Sequence, residues 1–339
     1  MRGVFAAIYL FLAAFALISC GAQSQADISA NSNTTYTKLA PHPSRYHPKA
    51  KGWTFVWGDE FESDTLDRDK WEPEVSCWGG GNNERQCYTD RPENIQIKDG
   101  VLKLIARPEV FTGPKLPQGF EDRGPRVTQD YTSGKIRTRG KASWKYGRIS
   151  ARIKLPKGQS TWPAFWMMPA ADKYGGWPLS GEIDIMEAVN LGAICSDCDD
   201  SLRELRTGGA LHFGKKWPDN EFITQGRALA NLEAVDDFHE FALEWGEGRI
   251  SWFVDGEKFF SAAAGDWFTA SASTSENPNA PFDAAFYVML NLAVGGNSVD
   301  NKNEKKFNKA SFPNELWVDW VRVYQCKTDK DTGLNCLSE

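Results

Sequence analysis

The sequence predicts an all-β sandwich of two antiparallel sheets in one domain. Three observations lead to this prediction: Asp-Gly pairs separate short β-rich runs, polar and apolar residues alternate along other runs, and no stretch shows a sustained helical period with caps. The 339 residues would suit one large domain or two small ones. We see no internal repeat that divides the chain, and antiparallel sandwiches of roughly 200 residues or more fold as single units.

The first clear hairpin surrounds Asp99 and Gly100, which separate the runs 95–98 (IQIK) and 101–104 (VLKL). An Asp-Gly pair between such runs favours a two-residue β-turn. Residues 148–155 (RISARIKL) alternate between polar and apolar, which is typical of a half-buried strand. Further β-rich runs span residues 250–254, which precede a second Asp-Gly pair, 286–292 and 316–324.

The N-terminal segment 1–20 has the pattern of an export signal. Arg2 gives a positive start, and the apolar stretch 4–17 is too short for a comfortable membrane span. The segment ends in the letters LISC, which resemble the lipobox of bacterial lipoproteins, in which the thiol of Cys20 is acylated. We therefore expect an exported lipoprotein held to a membrane at Cys20. An ordinary signal that is cleaved nearby is the alternative.

Two further features fit this interpretation. Gly21 after the lipobox suggests sorting to the outer membrane or the cell surface. Residues 21–50 are rich in Ser, Asn, Thr, Pro and Gln, which predicts a flexible linker before a folded body at 51–339.

The cysteine count also indicates an oxidising compartment. The sequence has seven cysteines, and setting Cys20 aside leaves six in three near pairs: Cys77/Cys87, Cys195/Cys198 and Cys326/Cys336. These spacings predict short-loop disulfides. The C-x-x-C at Cys195 could instead be a redox or metal motif, but no βαβ pattern and no second C-x-x-C accompany it.

Composition excludes one class of partner and favours another. The formal net charge is −6 and there is no long basic run, so a nucleic-acid partner is not expected. The sequence has 14 tryptophans. Some tryptophans pack in any core, but a surplus beside polar residues suits a cleft where sugar rings stack on indole faces.

Residues 181–188 (GEIDIMEA) carry three carboxylates between strand-type apolar residues. On a regular strand, Glu182 and Asp184 point to one face. The alternative is an edge strand whose acids face water, but such edges usually carry Lys as well. Three acids without a local cation repel each other, which is a cost unless they serve proton chemistry.

Glycoside hydrolysis requires one carboxylate that attacks the anomeric carbon and a second that donates a proton to the leaving oxygen. Glu187 is an odd number of positions from Glu182, so a regular strand would send it to the far side. A β-bulge that absorbs Met186 restores it to the same face. Asp184 would hold the nucleophile, and its charge would help to keep Glu187 protonated.

Residues 177–190 (WPLSGEIDIMEAVN) resemble glycoside hydrolase family 16 in its bulged E-x-D-x-x-E form. The resemblance extends over 57–324. Its other segments are WGDEF at 57–61, GGGNNE at 79–84, YTSG at 131–134, YGR at 146–148, LPKG at 155–158, WPAFW at 162–166, LHFG at 211–214, LNLAVGGN at 290–297 and VDWVRVY at 318–324. Together they resemble bacterial laminarinases, which are endo-acting on β-1,3-glucan.

The resemblance implies a curved jelly roll of the concanavalin A-like type, and a retaining hydrolase that needs no cofactor for catalysis. It implies Glu182 as nucleophile, Asp184 as its assistant and Glu187 as acid/base.

For substrate binding, the resemblance implies a stacking platform of Trp162, Trp166 and Trp177, with Asn83 and His212 lining the cleft. Each tryptophan could instead pack in the core, and for Trp166 the two interpretations are balanced. A structural Ca²⁺ is also implied, at Glu60, Gly100 and Asp319, which supply oxygen ligands.

Two departures from the family pattern concern the cleft. An insert at 191–207 follows the acid motif, and residues 298–300 (SVD) stand where laminarinases often have an aromatic residue. Mixed-linkage β-glucan and agar-type galactan therefore stay open as substrates. A glycan-binding module that has lost catalysis would lack one of the acids, and a structural envelope lipoprotein would explain neither the acids nor the tryptophans.

Overall fold

The computed structural model describes residues 52–120, 122–198, 202–272 and 276–338. In chain order the strands are β1 (Trp53–Asp59), β2 (Glu72–Pro73), β3 (Gln86–Tyr88), β4 (Ile95–Lys98), β5 (Val101–Pro114), β6 (Arg126–Ser133), β7 (Lys135–Arg137), β8 (Gly147–Lys154), β9 (Thr161–Pro169), β10 (Glu182–Glu187), β11 (Arg206–Phe213), β12 (Glu221–Ala228), β13 (His239–Gly246), β14 (Arg249–Val254), β15 (Glu257–Ala263), β16 (Phe286–Val294) and β17 (Asn314–Cys326). The described helices are short: α1 (Asn297–Asp300) and the 3₁₀ segments Gly79–Gly81, Ala234–Asp236, Lys309–Ser311 and Leu334–Cys336.

The strands form two sheets, as predicted. The back sheet has the order β15-β14-β13-β8-β17-β5-β6-β3, with β1 beside β17 and β4 beside β5. The cleft sheet has the order β12-β11-β10-β9-β16-β7-β2. Between the described strands every pairing is antiparallel except that of β3 with β6, which is parallel. The all-β sandwich is confirmed with that one exception.

The two Asp-Gly pairs close hairpins, as their sequences predict. Asp99 and Gly100 have φ values of 55° and 74° between β4 and β5, and Asp255 and Gly256 have 52° and 80° between β14 and β15. A two-residue turn with positive φ at both central positions has the twist that antiparallel strands need. Glycine and aspartate tolerate that backbone conformation better than β-branched residues do.

Alternation along the cleft sheet separates the core from the cleft. On β9, Phe165 and Met167 are buried against the back sheet, whereas Trp162 and Trp166 are only half-buried on the other face. Part of the tryptophan surplus belongs to the core: the fully buried side chains include Trp71, Trp245 and Trp252. The tryptophan count therefore overstates the aromatic surface available to a ligand.

The three predicted disulfides are present, Cys77–Cys87, Cys195–Cys198 and Cys326–Cys336. The predicted signal at 1–20, with Cys20, and the predicted linker at 21–50 lie outside the described residues. Within the part of the chain that the structure describes, no helix is both long and apolar enough to cross a membrane.

Candidate active site

Strand β10 contains the predicted β-bulge, although not quite where the sequence placed it. Against β9, the register passes from Asp184 opposite Trp166 to Met186 opposite Phe165. Ile185 is the extra residue on this side, whereas against β11 both Ile185 and Met186 fall within the register shift. The assignment of Met186 alone as the bulged residue is therefore corrected to the pair Ile185 and Met186. The bulge follows from packing, because Met186 is fully buried and keeps a partner on β9 while Ile185 occupies the additional space.

The bulge explains how acids at an odd spacing share one face. Ile185 and Met186 are consecutive, yet both are buried in the core, with 2% and 0% of their surface exposed. Two inward side chains in succession shift the alternation by one residue. As a result, Glu182 and Glu187 are both half-buried on the cleft face.

Each of the two glutamates accepts a hydrogen bond from an indole. Trp177 Nε1 donates to Glu182 Oε2 at 2.5 Å, and Trp162 Nε1 donates to Glu187 Oε1 at 2.8 Å. Trp177 has 40% of its surface exposed, so its ring is available for a ligand as well. Two of the predicted stacking tryptophans thus also fix the rotamers of the acids.

Asp184 lies between the two glutamates and faces His212. His212 Nε2 is 3.4 Å from Asp184 Oδ2, which is longer than an ordinary N–H···O hydrogen bond. Asp184 Oδ2 is buried and has no hydrogen-bond donor within the described ranges. His212 is also opposite Glu182 in the register of β10 with β11, which puts the predicted His212 at the centre of the site.

The pKa values of all three acids are raised. Burial is the largest cause for each, and for Asp184 the charges of Glu182 and Glu187 add to it and hold the pKa well above its ordinary value. The expectation that the charge of Asp184 keeps Glu187 protonated is corrected: burial raises the pKa of Glu187, and Trp162 opposes the shift.

His212 responds to the same charges with the opposite result. Burial lowers the pKa of His212, but its contact with Asp184 and the charges of the three acids outweigh this and raise the pKa to about 9. The imidazolium is the counter-charge of the acid cluster at neutral pH.

A cavity in the cleft sheet extends from the acids toward β7. It is lined by Glu74, Trp78, Gly80, Asn82, Glu84, Tyr88, Lys135, Trp162, Ala164, Trp166, Glu182, Asp184, Glu187, Asn291 and Ala293. Trp166 belongs to it and not to the core. Trp166 Nε1 donates to Asn291 Oδ1 at 2.7 Å, and Lys135 Nζ lies 4.9 Å from the ring centroid, so the ring is held in place on the cavity wall.

Asn83 does not line this cavity. It is exposed with φ 57°, a left-handed conformation that turns its side chain out of the loop, and Asn82 lines the cavity instead. Residues 298–300, where the family pattern would have an aromatic, hold this loop: Ser298 Oγ contacts Asn82 Oδ1 at 3.2 Å, and Asp300 pairs with Arg85 at 2.8 Å.

The polar residues of the cavity that were not predicted are Glu74, Asn82, Glu84, Tyr88, Lys135 and Asn291. Glu84 and Asn291 stand inside the segments GGGNNE and LNLAVGGN, and Lys135 directly follows YTSG. For these three residues the signal was therefore present, because each lies in or beside a quoted motif, whereas Glu74 and Tyr88 lie outside the quoted segments. Burial raises the pKa of Glu84, and Gln86 donates to its Oε2 at 2.7 Å.

The insert at 191–207 leads directly into β11, whose Gly208 is opposite Glu187. Within it, Glu204 accepts hydrogen bonds from Arg206 and, at 3.0 Å, from Asn303. Cys195 and Cys198 are joined in a disulfide, so these two sulfurs do not form a free metal-binding pair.

The residues of the implied calcium site lie around one stretch of β17 but do not offer free carboxylates. Asp59 is opposite Val321, which brings Glu60 to this stretch. Arg322 donates to both oxygens of Glu60 at 2.8 and 2.9 Å, and Arg152 contacts Asp319 at 2.7 Å. Both carboxylates are thus engaged by guanidinium groups, so Glu60, Gly100 and Asp319 do not fit a calcium ion in this arrangement.

Comparison with known proteins agrees with this geometry. Residues 53–326 match the family model described as "Beta-porphyranase A-D, GH16 domain". The chain is 37% identical over 294 residues to the glucan endo-1,3-beta-glucosidase A1 of Niallia circulans, covering 82% of this chain but only 39% of that protein. It is 36% identical over 292 residues to the beta-glucanase of Rhodothermus marinus, covering 82% of this chain and 87% of that protein.

Among solved structures, the laminarinase from Rhodothermus marinus superposes with a TM-score of 0.64 at 35% identity, covering 80% of this chain and 97% of that one. The chain thus has both glutamates, the bulge between them and the two sheets, and it matches the family model over residues 53–326. The chain belongs to glycoside hydrolase family 16.

Proposed function

We propose that the protein hydrolyses internal bonds of β-1,3-glucan with retention of configuration. The assignment of this substrate rests on the 37% identity to a glucan endo-1,3-beta-glucosidase over 82% of the chain. The cavity beside the acids supports a glycan substrate, because Trp162 and Trp166 offer ring faces and its polar side chains offer hydrogen bonds to a sugar.

In the proposed mechanism, Glu182 attacks the anomeric carbon while Glu187 protonates the leaving oxygen. Glu187 then removes a proton from the water molecule that hydrolyses the bond between Glu182 and the sugar. The indole of Trp177 orients the nucleophile, and the indole of Trp162 orients the acid. Because the pKa of Asp184 is strongly raised, Asp184 holds a proton beside Glu182. Glu182 can share this proton while the charge of its carboxylate changes during the reaction.

An agar-type galactan is the second candidate, because the matching family model is described as that of β-porphyranases. The charges of the cavity argue against a polyanionic form of such a substrate. Lys135 is the cation among the cavity-lining residues, and it is paired with Glu74 at 3.2 Å. Its other charged neighbours are carboxylates, which would repel sulfate groups.

The substrate is tested by comparing product profiles on laminarin, mixed-linkage glucan and agarose. We expect a rapid fall in the polymer size of laminarin before any monomer appears, and slower cleavage of mixed-linkage glucan. Good turnover of agarose with none of laminarin would contradict the β-1,3-glucan assignment. Absence of turnover on all three substrates, with binding retained, would instead identify a glycan-binding module.

We also propose that the mature chain begins at acylated Cys20 and is held to a membrane. The lipobox-like ending of residues 1–20 and the linker-like composition of 21–50 support this. Cys20→Ser should release the body in soluble, active form, as judged by cell fractionation and activity. Mass spectrometry that finds an unmodified N-terminus beyond residue 20 would disprove the anchor.

A further inference from the structure

The segment 170–181, which joins β9 to β10, brings Trp177 to the nucleophile. The indole of Trp177 donates to Glu182 Oε2, and because 40% of its surface is exposed, packing covers this side chain only in part. Hydrogen bonds within the segment are local, such as that from Gly175 N to Asp172 O at 3.0 Å. The position of the indole therefore depends on what fixes the segment to the body of the protein.

Asp283 fixes this segment through a cluster of hydrogen bonds. Tyr174 Oη donates to the carboxylate of Asp283 and lies 2.9 Å from both of its oxygens, and Lys173 Nζ lies 2.6 Å from Oδ2. Asn277 Nδ2 donates to the same oxygen at 2.8 Å and lies 2.9 Å from Tyr174 Oη. One carboxylate thus joins two consecutive residues of the segment to the stretch that precedes β16.

The backbone that carries Asp283 is anchored in the core. Its neighbour Phe282 is buried, and Phe282 O accepts a hydrogen bond from the buried Trp245 Nε1 at 3.2 Å. Burial raises the pKa of Asp283, but the hydrogen bonds from its three donors outweigh this and hold the pKa below its ordinary value. The carboxylate is therefore ionised at neutral pH and keeps its donors.

We propose that Asp283 is a positioning residue for the nucleophile. Its hydrogen bond with Tyr174 holds the segment 170–181 in place. This hold keeps the indole N–H of Trp177 at the carboxylate of Glu182, although Asp283 itself touches neither residue. The role rests on the proposed mechanism, in which Glu182 attacks the sugar and needs a fixed orientation to do so.

The acid limb of the pH profile of kcat/KM gives a functional readout, because it depends on the ionisation of the nucleophile in the free enzyme. Burial raises the pKa of Glu182, and the hydrogen bond from Trp177 opposes this. The other charged groups that face Glu182, all unchanged in the test, are Asp184, Glu187, His212 and Lys135. Loss of the indole hydrogen bond should move the limb to higher pH, whereas loss of the negative charge of Asp283 by itself would move it to lower pH.

Tyr174→Phe removes one hydroxyl without changing any charge, and Asp283→Ala removes the carboxylate. Each should move the acid limb up by about 0.5 to 1 pH unit and lower kcat/KM at the optimum by roughly fivefold to tenfold, the size of one lost hydrogen bond. In a Trp177→Phe background neither change should move the limb further, because the bond that it supports is already absent. Asp255→Asn is the matched control: this carboxylate in the β14–β15 turn also has a side-chain and a backbone partner, and its replacement should leave the limb in place.

Nuclear magnetic resonance of the indole N–H groups tests the hold without relying on turnover. In protein labelled with ¹⁵N-tryptophan, the cross-peak that disappears in Trp177→Phe belongs to Trp177. We expect Tyr174→Phe and Asp283→Ala to shift this peak upfield and to speed its exchange with solvent, and Tyr174→Phe alone decides if Asp283→Ala does not fold. An unmoved peak overturns the hold, and a moved peak with an unmoved acid limb overturns the positioning role. Both results leave the proposed function intact, which fails instead if the wild type does not hydrolyse β-1,3-glucan.

Discussion

At the scale of single residues, the site works through unequal environments for similar groups. Glu182 and Glu187 are both buried and both accept an indole N–H, and the cationic His212 lowers the pKa of both against the effect of burial. The largest effect that opposes burial is the charge of His212 at Glu182 and the hydrogen bond from Trp162 at Glu187. Because the groups are coupled, their titration belongs to the cluster as a whole.

The different roles of the two glutamates predict different losses of turnover when each is replaced. Glu182→Gln should reduce turnover by about a thousandfold or more on every substrate, since no nucleophile is left. Glu187→Gln should slow laminarin by roughly 100- to 10,000-fold but affect aryl glycosides with good leaving groups far less, because a stable phenolate departs without a proton. Steady-state kinetics on both substrate types measure this. Equal losses on both types for Glu187→Gln would contradict its role as the acid.

His212 predicts a pH dependence of stability. Folding raises its pKa from 6.5 to about 9, so its contribution to the free energy of unfolding is complete below pH 6.5 and is lost as the pH rises through about 9. His212→Gln should therefore destabilise the protein more at pH 6 than at pH 10, by at most about 3 kcal/mol. Urea unfolding of both proteins at the two pH values gives the difference. The same destabilisation at both pH values would show that His212 acts through packing alone.

At the scale of elements, the bulge in β10 decides which side chains reach the cleft. It was predictable because an odd spacing between acids that must share a face requires one absorbed residue. Its position was not, since Ile185 and Met186 are both apolar and only their packing against β9 distinguishes them. The same limit applies to Asn82 and Asn83, where a positive φ selects which of two identical side chains lines the cavity.

Whether the number of positions from Glu182 to the second glutamate is odd or even predicts the outcome of deletions in β10. Deleting Met186 alone leaves an even offset between the two glutamates, so the second still faces the cleft, and a measurable fraction of the activity should survive. Deleting Ile185 and Met186 together leaves an odd offset, which should turn the acid into the core and abolish activity. Loss of a buried side chain costs about 2–5 kcal/mol, so circular dichroism must first show that each variant is folded. A folded single deletion as inactive as Glu187→Gln would show that bulge geometry matters beyond parity.

At the scale of the whole molecule, the two-sheet sandwich, the hairpins and the three disulfides follow from local patterns, because alternation, Asp-Gly pairs and cysteine spacing act over short distances. The lining of the cavity does not, since Glu84, Lys135 and Asn291 are distant in sequence and meet only in the folded protein. The calcium assignment failed to fit for a similar reason: the sequence shows the oxygen donors but not that Arg322 and Arg152 already engage them.

The central claim is that this family 16 fold cleaves β-1,3-glucan with retention through Glu182 and Glu187. Proton NMR of laminarin during the first minutes of hydrolysis tests it most directly, because it reports both cleavage and the configuration of the new reducing end before mutarotation. We expect the β-anomer to appear first with the wild type and no new anomeric signal with Glu182→Gln. The α-anomer appearing first would mean inversion, and the nucleophile assignment would be wrong.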